Sequence, residues 1–134
     1  MIFQDEEWKH DYTYSGHAVG LAIALKNLEL IESENLIARA ETVGQSMLRI
    51  FEEKLSGFRL VKAIRGAGVM CAVEFTEPLA KEFEAMAFSE HLIMTSNRSG
   101  NCLNMAPPII ITDAQITKIA DGIANMLKKK GDRK

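Results

Sequence analysis

An α+β fold, with helices packed on a small mixed or antiparallel sheet, follows from three features of the chain. Apolar residues recur at helical spacing in four stretches. Between the second and the last stretch the period drops to two, in short β-type runs. Glycine, proline and Asn/Ser clusters mark the changes of period. The 134 residues suit one domain by length, and 47% hydrophobic with 25% charged residues describes a folded globular chain and not a disordered one.

Residues 1 to 16 are irregular, with Trp8, Tyr12 and Tyr14 among acids and histidines, and end in the loop signal Ser15-Gly16. From Ala18 to Ile31 a helix is expected, preceded by a polar segment and apolar almost all round: Val19, Leu21, Ile23, Leu25, Leu28 and Leu30 leave little polar surface. Such a helix needs covering on most sides, and a chain of this size has little mass to cover it. A cleaner amphipathic helix spans about Leu36 to Leu55, with Leu36, Ala40, Val43, Met47, Ile50 and Phe51 on one stripe. Ser56-Gly57 ends it.

Leu60 to Arg65 and Val69 to Phe75 are β-type runs joined by Gly66-Ala67-Gly68. In the second, Val69, Cys71, Val73 and Phe75 share one face, and Met70, Ala72 and Glu74 the other. Pro78 opens a third helix, about Leu79 to Glu90, with Phe83, Met86 and Ala87 inward. Leu92 to Met94 reads as a short strand, Asn97 to Asn101 as a polar turn, and Cys102 to Met105 as another strand, stopped by Pro107-Pro108. Thr112-Asp113-Ala114-Gln115 fits a capping box that starts the last helix. Its stripe is Ile116, Ile119, Ala120, Ile123 and Leu127, and Gly131 ends it. The expected order is loop, α, α, β, β, α, β, β, α.

A net charge of −2, from 16 basic and 18 acidic side chains, argues against a nucleic-acid binder. No stretch approaches the ~20 apolar residues needed to span a bilayer. Met1 to Lys9 carries three acids and no apolar core, unlike a signal peptide. Two distant cysteines, Cys71 and Cys102, exclude a disulfide-dense scaffold and a four-thiolate metal site, and suit a reducing, cytoplasmic compartment.

Candidate chemistry is sparse. His10, His17, His91, Cys71 and Cys102 show no metal-ligand spacing. Ser15 in Tyr14-Ser15-Gly16-His17 lacks the glycines of a nucleophile elbow. Arg65-Gly66-Ala67-Gly68 has the look of part of a phosphate loop, but a strand follows where a helix is required, so a tight strand connection is expected. Thr13-Tyr14-Ser15-Gly16 precedes a helix; its hydroxyls serve equally as an anion site or as N-caps. Arg98, in the polar turn, is either a carboxylate clamp or an exposed turn residue.

Three segments together resemble a known family. His10-Asp11-Tyr12-Thr13-Tyr14-Ser15-Gly16-His17-Ala18-Val19 is similar to the H-G-Y-T-Y-S-G-H-P-V segment of class III pyridoxal-phosphate-dependent aminotransferases, the ω-amino-acid transaminase group of fold type I. Ile64-Arg65-Gly66-Ala67-Gly68-Val69-Met70 resembles their V-R-G-x-G-L-M strand turn, and Met105-Ala106-Pro107-Pro108-Ile109-Ile110-Ile111-Thr112 their S/A-P-P-L-I-I-T. The segments occur in order, and the resemblance covers essentially the whole chain.

The resemblance implies a C-terminal portion of the subunit: residues 1–16 as interface and phosphate-site loop, 17–32 as connector helix, 33–134 as the small α+β domain. It implies pyridoxal phosphate as cofactor, amine and keto-acid substrates, and a homodimer in the complete enzyme. Thr13 resembles the threonine that binds the cofactor phosphate across the dimer interface, which favours the anion-site reading; Ser15 and Gly16 shape that loop. The family's substrate-carboxylate arginine falls where this chain has Asn104 or Thr95, which leaves Arg98 as the candidate substrate-binding residue. The Schiff-base lysine lies upstream in the family, so the resemblance implies no catalytic residue in this chain, and an inert chain when isolated. A truncated reading frame, a split gene or an expressed domain would each account for that. The rival expectations are a non-catalytic interaction module associating through helix 18–31, and a family member catalysing aminomutase, lyase or decarboxylase chemistry.

Overall fold

The computed structural model of the chain describes residues 13–132. The readings of Trp8, His10, Asp11 and Tyr12 lie outside the described residues. The chain divides into two compact units, Met1–Asn35 and Leu36–Lys134.

The first unit holds the turn at residues 13–17 and α1 (Ala18–Ser33). None of the residues of α1 is buried; Val19, Leu21, Ile23, Leu25 and Leu28 are all exposed. Asn35, with φ +50°, follows the helix end.

The second unit runs α2 (Leu36–Leu55), β1 (Val61–Ala67), β2 (Met70–Phe75), α3 (Ala80–Ala87), a 3-10 turn (Phe88–Glu90), β3 (Thr95–Ser96), β4 (Cys102–Met105) and α4 (Asp113–Lys129). Its strands form one sheet in the order β1-β2-β4-β3, and every neighbouring pair is antiparallel. Ile64, Val73 and Leu103 stand opposite one another, as do Cys71 and Met105, and these residues line the core face. Helix α2 packs on β1 and β2, α3 on β3 and β4, and α4 against both helices.

The core between sheet and helices is built from Met47, Phe51 and Leu55 of α2, Val73 and Phe75 of β2, Phe83 of α3, Leu103 of β4, and Ile116, Ile123, Met126 and Leu127 of α4. Phe75 and Phe83 meet edge to face at 5.0 Å. Burying each such side chain is worth about 1.5–3 kcal/mol. The capping box on α4 is formed: the Gln115 amide donates to Thr112 Oγ1 at 3.3 Å, and the Thr112 amide donates to Gln115 Oε1 at 3.0 Å. A cap is worth about 1 kcal/mol. The buried stripe therefore outweighs the cap in holding α4, and the cap sets where the helix starts.

The element order matches the expected one, with three local differences. Strand β1 runs through Gly66 to Ala67, so the turn is the two-residue loop Gly68-Val69, with φ +52° at Gly68 only, as in a type II′ turn. The third helix stops at Ala87 and tightens into the 3-10 turn, which ends at His91 with φ +58°. The short strand falls on Thr95–Ser96, not on Leu92 to Met94. That apolar run is held by packing instead: Leu92 seats against Gly122 of α4, and Met94 is buried.

Candidate functional site

Thr13 to His17 form a tight turn that feeds α1. The His17 amide donates to the Tyr14 carbonyl at 3.1 Å, and the turn closes with φ +66° at Tyr14 and +78° at Gly16. Glycine takes that backbone without steric cost. The N-cap of α1 is an imidazole: His17 Nδ1 accepts from the Gly20 amide at 3.3 Å. The Tyr14 ring stands edge-on to it at 6.2 Å. Thr13 and Ser15 are exposed, and their hydroxyls make no hydrogen bond with any described residue. The capping of α1 is thus done by His17, and not by either hydroxyl.

The second unit presents a different surface. Antiparallel register lines up Arg65, Ala72, Asn104 and Thr95 across all four strands, on the sheet face away from the helices. They line an open concavity of about 400 Å³. A β-bulge at Lys62, between the pairs Val61–Phe75 and Ala63–Glu74, turns that lysine onto the same face. Lys62 Nζ meets Glu74 Oε1 at 2.7 Å, and an Arg65 terminal nitrogen meets Glu74 Oε2 at 2.6 Å. The hydrogen bond from Lys62 holds the Glu74 carboxyl below the usual carboxylate range; the charges of Arg65 and Lys62 act the same way, against the opposing effect of burial.

Arg98 stands at the apex of the Asn97–Asn101 turn, exposed and with no ion-pair partner among the described residues. The turn beneath it is tied by Asn97, whose Oδ1 accepts from the amides of Asn101 and Cys102, both at 3.1 Å. Arg98 does not line the concavity that holds Thr95 and Asn104; the arginine there is Arg65. Sequence reasoning missed Arg65 as a site residue. The signal lay in the two-residue hairpin loop, which forces Arg65 opposite Ala72.

A larger apolar groove of about 840 Å³ runs between residues 91–94 and the 105–119 segment, with Ile93, Pro107 and Ile110 on its walls. Among the described residues no His, Cys, Asp and Glu cluster could hold a metal ion. Both cysteines are free and buried, and burial pushes the Cys71 thiol up to about 11. No helix of the described chain is long and apolar enough to cross a membrane.

A family model for class-III aminotransferases matches residues 2–127. The diaminobutyrate–2-oxoglutarate transaminase of Halomonas elongata is 34% identical over 122 residues, covering 82% of this chain and 26% of that protein. The acetylornithine aminotransferase of Mycobacterium leprae is 33% identical, covering 88% and 28%. The Plasmodium falciparum ornithine aminotransferase is 27% identical, covering 90% and 29%. Among solved structures, an (S)-enantioselective omega-transaminase from Thermomicrobium roseum superposes with a TM-score of 0.80 at 29% identity, over 93% of this chain and 30% of that one. The chain thus spans less than a third of the length of the relatives it matches.

Proposed function

The chain belongs to the class III aminotransferase family, and on that basis we propose that it forms the C-terminal portion of a pyridoxal-phosphate-dependent transaminase. The reaction moves an amino group between an amine or ω-amino acid and a keto acid. Ornithine and diaminobutyrate, in the names of two relatives, both carry a terminal amine, which supports that donor class. Pyridoxal phosphate, when bound, supplies the electron sink for the transfer.

In this reading Thr13 donates its hydroxyl to a phosphate oxygen of the cofactor across the interface of a homodimer. Ser15 and Gly16 hold the loop in the shape that presents Thr13. The unit from Leu36 onward closes over the substrate, and Arg98 is a candidate contact at its edge. The Schiff-base lysine comes from polypeptide outside these 134 residues. The assembly works in the cytoplasm on small molecules. One observation carries the cofactor assignment: His17 caps α1, and the Thr13 and Ser15 hydroxyls beside that helix N-terminus make no hydrogen bond with any described residue.

Reductive trapping tests the proposal. The pure chain is incubated with pyridoxal phosphate, reduced with borohydride, and mapped by peptide mass spectrometry. Scattered, substoichiometric lysine labelling is the expected result. A single stoichiometric adduct would show that the chain houses the whole cofactor site, and would overturn it.

A further inference from the structure

Helix α4 ends in a Schellman motif: Gly131, with φ +80°, donates its amide to the Lys128 carbonyl at 2.9 Å, and the Asp132 amide donates to the Leu127 carbonyl at 3.1 Å. The residue after the left-handed glycine of such a motif is frequently hydrophobic and packs back on the helix. Here it is an aspartate whose side chain has no exposed surface. We propose that the backbone amides of Arg59 and Leu60 form a carboxylate-binding seat, filled by the chain's own Asp132. The end of α4 is thereby latched to the loop between α2 and β1, through an occupant that a free carboxylate can replace. The seat does not depend on the transaminase reading.

Geometry is the first argument. Asp132 Oδ1 accepts from the Arg59 amide at 3.3 Å, and Oδ2 accepts from the Leu60 amide at 2.8 Å. Each carboxylate oxygen has its own donor, and the two donors are successive along the chain. Successive N–H groups that converge on one point make an anion-binding concavity. The seat is anchored from behind: the Leu60 carbonyl accepts from the Thr76 amide at 2.9 Å, and Phe58, just before the seat, is buried. Its two amides are therefore held in place by contacts other than the occupant.

Charge is the second argument. A buried carboxylate is costly unless its oxygens are hydrogen-bonded. Arg59 also approaches Asp132, with Nε 3.8 Å from Oδ1, but its side chain is 87% exposed. Solvent screens such a contact, so the guanidinium adds little and the amide pair carries the binding. Backbone donors of this kind recognise the carboxylate and not the residue that bears it. The other carboxylates that tie α4 to its neighbours work differently. Asp121 meets Lys54 at 2.7 Å and Glu90 meets Lys129 at 2.6 Å, side chain to side chain.

The test is thermal unfolding of the full 134-residue chain, with the Arg59 and Leu60 amide resonances followed in parallel. Asp132→Gly deletes a CH2–COO− group, the size of acetate, so acetate is the probe. Acetamide and matched sodium chloride are the controls. The variant is expected to lose at least about 5 °C of thermal midpoint. Acetate is expected to restore at least about half of that loss, saturably and in the millimolar range, and to move the Leu60 amide back toward its position in the unaltered chain. The controls are expected to do neither. The unaltered chain, whose seat is filled, is expected to respond to acetate no more than to salt. Asp121→Ala, which removes an exposed ion pair, is expected to give a smaller loss that acetate does not restore. If Asp132→Gly does not fold, Asp132→Asn carries the test: with one carbonyl oxygen for two amides, it is expected to shift the Arg59 or Leu60 amide upfield. An unchanged midpoint in Asp132→Gly, no recovery with acetate, equal recovery with acetamide or salt, or equal stabilisation of the unaltered chain by acetate would each overturn the seat. So would unchanged Arg59 and Leu60 resonances in Asp132→Asn.

Discussion

Gly44 of α2 and Gly68 of the β1–β2 turn touch through their backbones: a Cβ built on Gly44 would sit 2.1 Å from the Gly68 carbonyl oxygen. The helix lies directly on the hairpin turn, and no side chain fits between them. Alanine at position 44 gains about 1 kcal/mol of helix propensity and must still push backbone from backbone. Gly44→Ala is therefore expected to destabilise the folded chain by about 2–4 kcal/mol, read from denaturant unfolding. Gly20→Ala in α1 is the internal contrast. Its Cβ would meet nothing closer than His17 Nδ1 at 3.7 Å, so it is expected to raise helicity. Equal effects at the two positions would show that propensity alone governs them.

That contact also marks what could be read in advance. Helices α2 and α4 and strand β4 were legible because their apolar periods are long or cleanly bounded, and the Thr112–Gln115 box names its own helix start. The strand placed at Leu92 to Met94 was not, because an apolar run satisfied by packing against Gly122 looks the same as one satisfied by a ladder. At the candidate site, the Thr13–Gly16 motif was visible but its cap was not, since imidazole capping by His17 depends on backbone geometry. The place of Arg65 depends on register. A shift of one residue would send it to the core face, and no residue type in β1 reveals the shift by itself.

Acid should loosen the second unit. The carboxyls of Glu74, Glu84 and Glu90 are all held below their usual range: by the hydrogen bond from Lys62, by the Ser96 hydroxyl and amide, and by Lys129 with Asn125, respectively. Each folded-state pKa is depressed, so the stabilisation is present above the ordinary carboxylate value of about 4.3 and is lost as pH falls through the lower folded values. Thermal midpoints are expected to hold from pH 7 to about 5 and then fall toward pH 3. Replacing all three with glutamine should lower the midpoint at pH 7 and flatten the acid limb. An unchanged slope in the triple variant would assign the acid sensitivity to other carboxylates.

The thiols should be silent in the native state. Cys71 is buried on the core face of β2, and burial raises its pKa from 9.0 to about 11. Thiolate is the reactive form, so both the low thiolate fraction and the poor access slow its reaction. At pH 8 an aromatic disulfide reagent is expected to titrate Cys71 at least a hundredfold faster in denaturant than in buffer. The linked effect on stability has the opposite sign to that of the glutamates. A raised folded-state pKa gives stability that is complete below about 9 and is lost as pH rises toward about 11. Rapid native labelling of Cys71 would mean that β2 opens locally far more often than its packing implies.

Helix α1 carries the last expectation. Within its unit no residue of the helix is buried, although Leu21, Leu25 and Leu28 form a continuous apolar stripe one and two turns apart. Exposed apolar surface of this extent is covered by association when a partner is within reach. The isolated chain is therefore expected to self-associate with rising concentration, with the weight-average mass in sedimentation climbing above 14.9 kDa. Leu21→Lys with Leu25→Glu should return it to a monomer without disturbing the second unit, because neither side chain contributes to that core. The two changes introduce opposite charges one turn apart, which preserves helix stability while removing the stripe. A monomer at high concentration in the unaltered chain would show that the apolar helix does not drive association by itself. Association that persists in the double variant would move the contact to the groove around Ile93 and Ile110.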